Sequence, residues 1–212
     1  MSETGRKIYL DSKGPAVKHL RSCDPVLDEL FGAMDIDSVC YELQSCGFEA
    51  LAGSIASQFL SYRAADAIWK RVVALTGVTP EGFVGTSDEA LRVAGLSYAK
   101  ISALKNLAVR TMSGDIKFSE LSAMSDEQAA QELVKLKGVG PWTAEMFLIF
   151  SLGRQDIFSW RDVGLVRAME FFYKLPVRPE MKEVEEMSAP WRPYRTTAAI
   201  VFWEAIHLGM VK

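Results

Sequence analysis

The chain has 212 residues, 49% of them hydrophobic, enough to bury one large core or two smaller ones. Its formal net charge of −3 argues against a coat protein that grips nucleic acid by an overall basic excess, but leaves room for an enzyme with a local positive face. No run of eighteen apolar residues is present, and Met1-Ser2-Glu3-Thr4-Gly5-Arg6-Lys7 leads into no apolar stretch of signal-peptide length; a cytoplasmic, nucleoid-associated protein without membrane contact is expected.

Taken in chain order, the periodicity predicts helices and no convincing strand. Leu27 to Met34 suits a helix, as do Phe48 to Phe59 and Tyr62 to Leu75, the last ending at Gly77. Thr86-Ser87-Asp88-Glu89 has the spacing of a capping box and opens a short helix that stops near Gly95. Ser97 to Met112 carries Ile101, Leu104, Ala108 and Met112 on one stripe and ends before Gly114. Ser125-Asp126-Glu127-Gln128 is a further capping box, followed by Ala129, Ala130, Leu133 and Val134 on one face. An irregular stretch from Arg154 to Arg161 precedes Asp162, after which Val163, Val166, Met169 and Tyr173 recur at helical spacing. Pro176, Pro179, Pro190 and Pro193 break the region between Tyr173 and Arg195, and Arg195 to Leu208 is the last helix. There is no internal repeat and no low-complexity linker, and the fold class expected is all-α.

The segment Leu136-Lys137-Gly138-Val139-Gly140-Pro141-Trp142-Thr143-Ala144 joins two of these helices by a tight hairpin. Gly138 can take the positive φ that ends a helix, and Pro141 suits the first position of the next because its missing N–H would be unpaired there anyway. The amides of Val139, Gly140 and the first turn then have no intrahelical acceptor, and two glycines keep no side chain in the way of a phosphate oxygen. The turn is therefore built to hold an anion. Asp162 follows eighteen residues after Ala144. On its own spacing it reads as the N-cap of the helix that begins at Val163.

The pattern Leu-x-Gly-Val-Gly-x-x-Thr-Ala with the downstream Asp resembles the helix-hairpin-helix DNA glycosylase superfamily. Phe48-Glu49-Ala50-Leu51, Ile55-Ala56-Ser57-Gln58-Phe59-Leu60-Ser61, Ala64-Ala65, and Gly95-Leu96-Ser97 with Lys100 and Leu104 are similar to the 3-methyladenine DNA glycosylase II type, and the likeness runs from about Phe48 to Trp203. It implies two helical lobes flanking a cleft, the hairpin lobe at 48–154 and a second lobe built from 1–47 and 155–212. It also implies a monomer acting on double-stranded DNA that contains damaged bases. The three cysteines, Cys23, Cys40 and Cys46, lack metal-ligand spacing, and none lies in the C-terminal region where endonuclease III relatives hold an iron–sulfur cluster, so no cluster is expected. No cofactor is expected for catalysis; a structural sodium or potassium ion at the hairpin, on the carbonyls of Val134, Leu136 and Val139, is what the resemblance implies.

The same resemblance makes Asp162 the catalytic residue. Cleaving an N-glycosidic bond builds positive charge on the deoxyribose, which a fixed carboxylate stabilises, or it orients and deprotonates the attacking water; helix amides favour its ionised form. Lyase members carry a Lys one residue before the Thr-Ala pair, where this chain has Trp142, and Lys137 lies on the other side of the turn; a monofunctional enzyme that leaves an abasic site is implied. Ring-methylated purines carry positive charge that aromatic faces attract. Trp142 and Trp203 match pocket tryptophans. Phe59, flanked by Gln58, matches the wedge inserted into the duplex. Gly138, Val139, Gly140 and Thr143 match the phosphate-binding turn. Two positions depart from the pattern: Trp160 stands where a Pro is usual, and Met146 where a pocket tyrosine is usual. A glycosylase for alkylated purines is expected, with one for uracil, deaminated or mismatched bases, or a non-catalytic DNA-binding module, as the alternatives. Lys135, Lys137, Arg154, Arg161, Arg167, Arg192 and Arg195 are the candidates for a basic DNA face.

Overall fold

The computed structural model describes residues 5–60 and 62–211. Ser61, part of the matched pattern, lies outside them. In chain order the elements are β1 (Arg6–Tyr9), α1 (Pro15–Cys23), α2 (Pro25–Ala33), β2 (Cys40–Leu43), α3 (Phe48–Ser57), α4 (Tyr62–Thr76), α5 (Pro80–Gly85) and α6 (Asp88–Val93). They continue with α7 (Tyr98–Met112), α8 (Phe118–Leu121), α9 (Asp126–Val134), α10 (Pro141–Phe150), α11 (Val163–Phe172), α12 (Met181–Ser188) and α13 (Arg195–His207). The chain divides into two compact units, one from Gln44 to Leu152 and the other comprising residues 5–43 and 153–211.

In the first unit the helix starts follow local chemistry. Ser125 and Gln128 cap α9 reciprocally: the Gln128 amide donates to Ser125 Oγ at 3.2 Å, and the Ser125 amide donates to Gln128 Oε1 at 3.0 Å. At α6 the cap sits one residue later than the sequence pattern suggests. Ser87 Oγ accepts the Ala90 amide, while the Thr86 hydroxyl donates to Gly82 O at 2.7 Å and closes α5. Two Ser/Thr in a row offer two cap registers, and α5 takes the first. Packing of α3, α5 and α10 on α7 and α9 buries Leu51, Ile55, Phe83, Leu104, Leu133 and Phe147.

The second unit contains the one departure from a purely helical reading among the described residues. β1 and β2 pair antiparallel, Arg6 opposite Leu43 and Tyr9 opposite Cys40. Both strands lie mostly at the surface, so neither shows the apolar alternation that marks a half-buried strand. Short helices between clear signals were also illegible: α12 fits between Pro179 and Pro190, capped by a Glu180–Glu183 box. Below them lies an aromatic core, with Phe158 edge-on to Trp191 at 5.1 Å and to Phe202 at 6.1 Å.

Asp24 is embedded beside that core, only 8% exposed, and its carboxylate is fully engaged. Oδ1 caps α2 by accepting the amides of Val26 and Leu27 at 2.9 and 3.1 Å; Oδ2 accepts Tyr173 Oη–H at 2.6 Å and Trp191 Nε1–H at 2.8 Å. Burial first, and the adjacent carboxylate second, push the Tyr173 phenol far above its ordinary range, so it remains a donor at any pH of interest. One acid thus ties α2 to the end of α11 and to Trp191. Asp24→Ala strands two buried donors and removes a cap, and we expect it to lower unfolding free energy by about 2–4 kcal/mol; an unchanged urea midpoint would contradict this.

Candidate active site

In the hairpin of the first unit the two glycines do different work. Gly138 has φ +82°, and a Cβ there would sit 2.6 Å from Ala103 Cβ on α7, so both conformation and space demand glycine. Gly140 has φ −88°, which any residue adopts, and a Cβ would meet nothing within 4 Å. Packing does not require it; its missing side chain leaves the start of α10 open to an approaching group. The ladder of α10 begins with the Ala144 amide donating to Gly140 O at 3.0 Å, so the amides of the residues before Ala144 lie outside it, at the positive end of the helix.

Two residues matched to the phosphate-binding turn also brace it. The Val139 amide donates to Leu136 O at 3.1 Å, and the Val139 side chain is buried. Thr143 is buried, and its hydroxyl accepts Gln58 Nε2–H at 3.0 Å. The amide of Gly138 donates to no acceptor among the described residues, and with Gly140 and the backbone of the first turn of α10 it makes up the presenting groups expected of the turn. For the cation expected there, the carbonyls of Val134 and Val139 accept no hydrogen bond among the described residues, and that of Leu136 accepts one, so the donor set fits a monovalent ion.

The segment that enters this site from α3 separates the proposed wedge pair. Phe59 adopts φ +57° and is wholly exposed, at 102%. Gln58 is turned the other way: Nε2 donates to Gly138 O as well as to Thr143 Oγ1, both at 3.0 Å. It braces the hairpin. Lys100 Nζ donates to the carbonyls of Ala56 and Gln58, each at 2.8 Å, at the C-terminal end of α3 where a cation complements the helix dipole. Burial pushes its pKa down. Trp142 and Met146 lie one turn apart on α10, Trp142 39% exposed and Met146 half-buried.

In the second unit, Asp162 is the N-cap of α11. Its Oδ1 accepts the Leu165 amide at 2.9 Å and lies 3.3 Å from Trp203 Nε1 on α13, so the structure brings Trp203 to the acid. The loop before it is stitched to the first turn of α13. Thr196 Oγ1 accepts the Ile157 amide at 3.0 Å and donates to Arg154 O at 2.7 Å. Arg195 grips Asp156 through Nε at 2.7 Å and donates to its carbonyl at 2.6 Å, while Arg192 reaches the same carboxylate at 2.8 Å. Trp160 is half-buried, with the Arg161 guanidinium 4.5 Å above its ring. One face of that indole is already covered by a cation.

The basic candidates therefore divide. Arg192 and Arg195 hold the loop through Asp156, Lys135 pairs with Glu132 at 2.6 Å, and Lys137 donates to Ser102 Oγ at 2.7 Å. Sequence reasoning missed Asp156, Thr196 and the Lys100 clamp, none of which has a local pattern to give it away. Among the described residues there is no group of three or more His, Cys, Asp or Glu able to hold a metal ion, and no helix long and apolar enough to cross a membrane.

A glycine hairpin opening a helix, with a capping aspartate beyond it, defines a helix-hairpin-helix protein with an acidic loop. The chain belongs to the HhH-GPD superfamily of base excision DNA repair proteins, whose family pattern matches residues 52–193. It is 35% identical over 167 residues to DNA-3-methyladenine glycosylase 1 of Schizosaccharomyces pombe, covering 76% of this chain and 73% of that protein. An alkylbase DNA glycosidase-like protein of the same yeast is 32% identical over 195 residues, covering 89% and 92%. Among solved structures, a DNA-3-methyladenine glycosidase from Bacillus halodurans superposes with TM-score 0.79 at 35% identity, over 94% of this chain and 92% of that one. The S. pombe 3-methyladenine DNA glycosylase in complex with abasic DNA gives 0.81 at 31%, over 91% and 96%.

The two glycines should respond differently to alanine. Gly138→Ala forces a side chain into the left-handed region against Ala103 and is expected to cost about 1–3 kcal/mol of stability. Gly140→Ala should cost about 1 kcal/mol or less, yet weaken duplex binding in a fluorescence anisotropy titration. Equal stability losses with unchanged binding by Gly140→Ala would contradict this division.

Proposed function

We propose that this protein is a monofunctional DNA glycosylase that hydrolyses the N-glycosidic bond of alkylated purines of the 3-methyladenine type in duplex DNA. The observation that carries the reading is Asp162, fixed at the head of α11 by the Leu165 amide with the Trp203 indole N–H beside it, within a family of base excision repair proteins. Its named relatives, DNA-3-methyladenine glycosylases among them, support the substrate class.

In this reaction the bond between C1′ and the base nitrogen breaks, and its electron pair leaves with the base. A ring-methylated purine is cationic, so departure neutralises it and little acid catalysis is needed. The positive charge that remains on the sugar is stabilised by the Asp162 carboxylate, and water adds to C1′ with its proton passing to that carboxylate. The product is an abasic site. With Trp142 where a lyase would carry its lysine, no Schiff base forms. Trp142, Met146 and Trp203 are the residues we assign to the base, with Trp160 offering at most the face that Arg161 does not cover. Gly140 and the first-turn amides of α10 grip the strand, Phe59 fills the vacated space, and a sodium or potassium ion on the carbonyls of Val134, Leu136 and Val139 would rigidify the turn.

The decisive variant is Asp162→Asn, because asparagine caps a helix as well as aspartate does and leaves the fold intact. Release of free 3-methyladenine from methylated duplex DNA is expected to fall by at least about a hundredfold, with binding to abasic duplex retained. Equal release by both proteins would overturn the mechanism. Parallel duplexes carrying uracil or hypoxanthine should give slower release, and borohydride should trap no covalent complex.

A further inference from the structure

Phe59 is in an expensive conformation. A bulky residue at φ +57° costs about 1–2 kcal/mol, and its ring rests on nothing, so neither local preference nor packing keeps it there. Such a residue persists only where its neighbours over-determine the backbone. Here two side chains hold the segment just before it, Lys100 by its carbonyls and Gln58 by tying it to the hairpin. Lys100 gathers the carbonyls of Ala56 and Gln58, and the Leu60 amide closes back on Ser57 O at 3.2 Å.

The second clamp is the Gln58 amide. Its two N–H groups go to Gly138 O and Thr143 Oγ1 at 3.0 Å each, and since a carbonyl only accepts, the orientation of the amide is fixed. Gly138 is the residue that Ala103 permits in only one form, and Thr143 sits in the first turn of α10. The residue just before Phe59 is thus bonded through its side chain to the left-handed glycine of the phosphate-gripping turn.

We propose that Gln58, backed by Lys100, is a positioning residue that couples the hairpin to Phe59, so that seating the strand on the hairpin aims the inserting ring. The proposal rests on the reading that Phe59 enters the duplex; it assigns Gln58 no contact with DNA. Coupling of this kind predicts that Gln58 matters only while Phe59 is present.

The test is a double-mutant cycle on the whole protein with Gln58→Met, which keeps length and bulk but removes both donors, and Phe59→Ala. The probe is a duplex containing a tetrahydrofuran abasic analogue beside 2-aminopurine, whose fluorescence reports unstacking at the gap and needs no base release. Loss of two neutral hydrogen bonds should lower the insertion-dependent affinity by about tenfold in the Phe59 background. In the Phe59→Ala background Gln58→Met should change nothing further. The same fold-loss in both backgrounds, or no loss in either, overturns the coupling. If Gln58→Met lowers the melting temperature by more than a few degrees, Lys100→Met takes its place in the cycle with the same two outcomes. If Phe59→Ala gives the wild-type signal, the ring does not insert and the proposal fails, while release of 3-methyladenine by the wild type, measured separately, leaves the glycosylase reading standing.

Discussion

Where Gly138 passes Ala103, no side-chain carbon fits between them, and the course of the hairpin follows from that contact. The turn approaches α7 closely, takes a left-handed residue, and starts α10 with Gly140 and Pro141 at a fixed angle to α9. The Gly138 carbonyl is thereby placed for Gln58, and Gly140 leaves no side chain at the start of α10. A hairpin loosened at Gly138 would lose its cap geometry and its brace to α3 together, because both are built on that residue.

The second unit secures its acid by a comparable device with different chemistry. An irregular loop of eight residues would ordinarily place a side chain poorly, but the first half of this one is bonded to Thr196 and Arg195 in the opening turn of α13 and to Arg192 just before it. α13 also carries Trp203, so the helix that fixes the loop is the helix that supplies the donor beside Asp162. The consequence for electrostatics is that two arginines expected on a DNA face are engaged with Asp156. Together with Lys135 and Lys137, which meet Glu132 and Ser102, this accounts for how a chain of net charge −3 can belong to a DNA-acting family.

The parts of the fold legible in the sequence are those determined within a few residues. The Ser125–Gln128 box, the left-handed Gly138 and Pro141 at the head of α10 each follow from local backbone chemistry, and each is found where the pattern put it. Asp162 as a cap was legible for the same reason. What escaped depends on partners far apart in the chain. The β1–β2 ribbon joins residues more than thirty positions apart and has no buried face to leave an alternating trace. Asp24 reads as an ordinary N-cap, and only the return of Tyr173 and Trp191 makes it a buried hub. Gln58 was grouped with Phe59 by adjacency, whereas their side chains go to different places; adjacency at a helix end says nothing about direction once the chain turns left-handed.

The choice of aspartate at position 162 can be argued from what the fold does not require. Capping α11 needs an acceptor for the Leu165 amide, and asparagine, serine or threonine would supply one at nearly the same stability. A negative charge is thus surplus to the cap. It is held where an amide and an indole N–H point at one oxygen, after a loop whose first half, Arg154 to Ile157, is bonded to the start of α13. Structural economy would not retain a charge in a place prepared with that much support, since fixing a carboxylate costs side-chain freedom and desolvation that a neutral cap avoids. In the reaction proposed for this protein, a cationic sugar in the transition state would recover that cost, since a neutral cap offers it no charge. On that proposal the cap and the chemistry are one device: the helix start supplies the position, and the reaction supplies the reason for the charge.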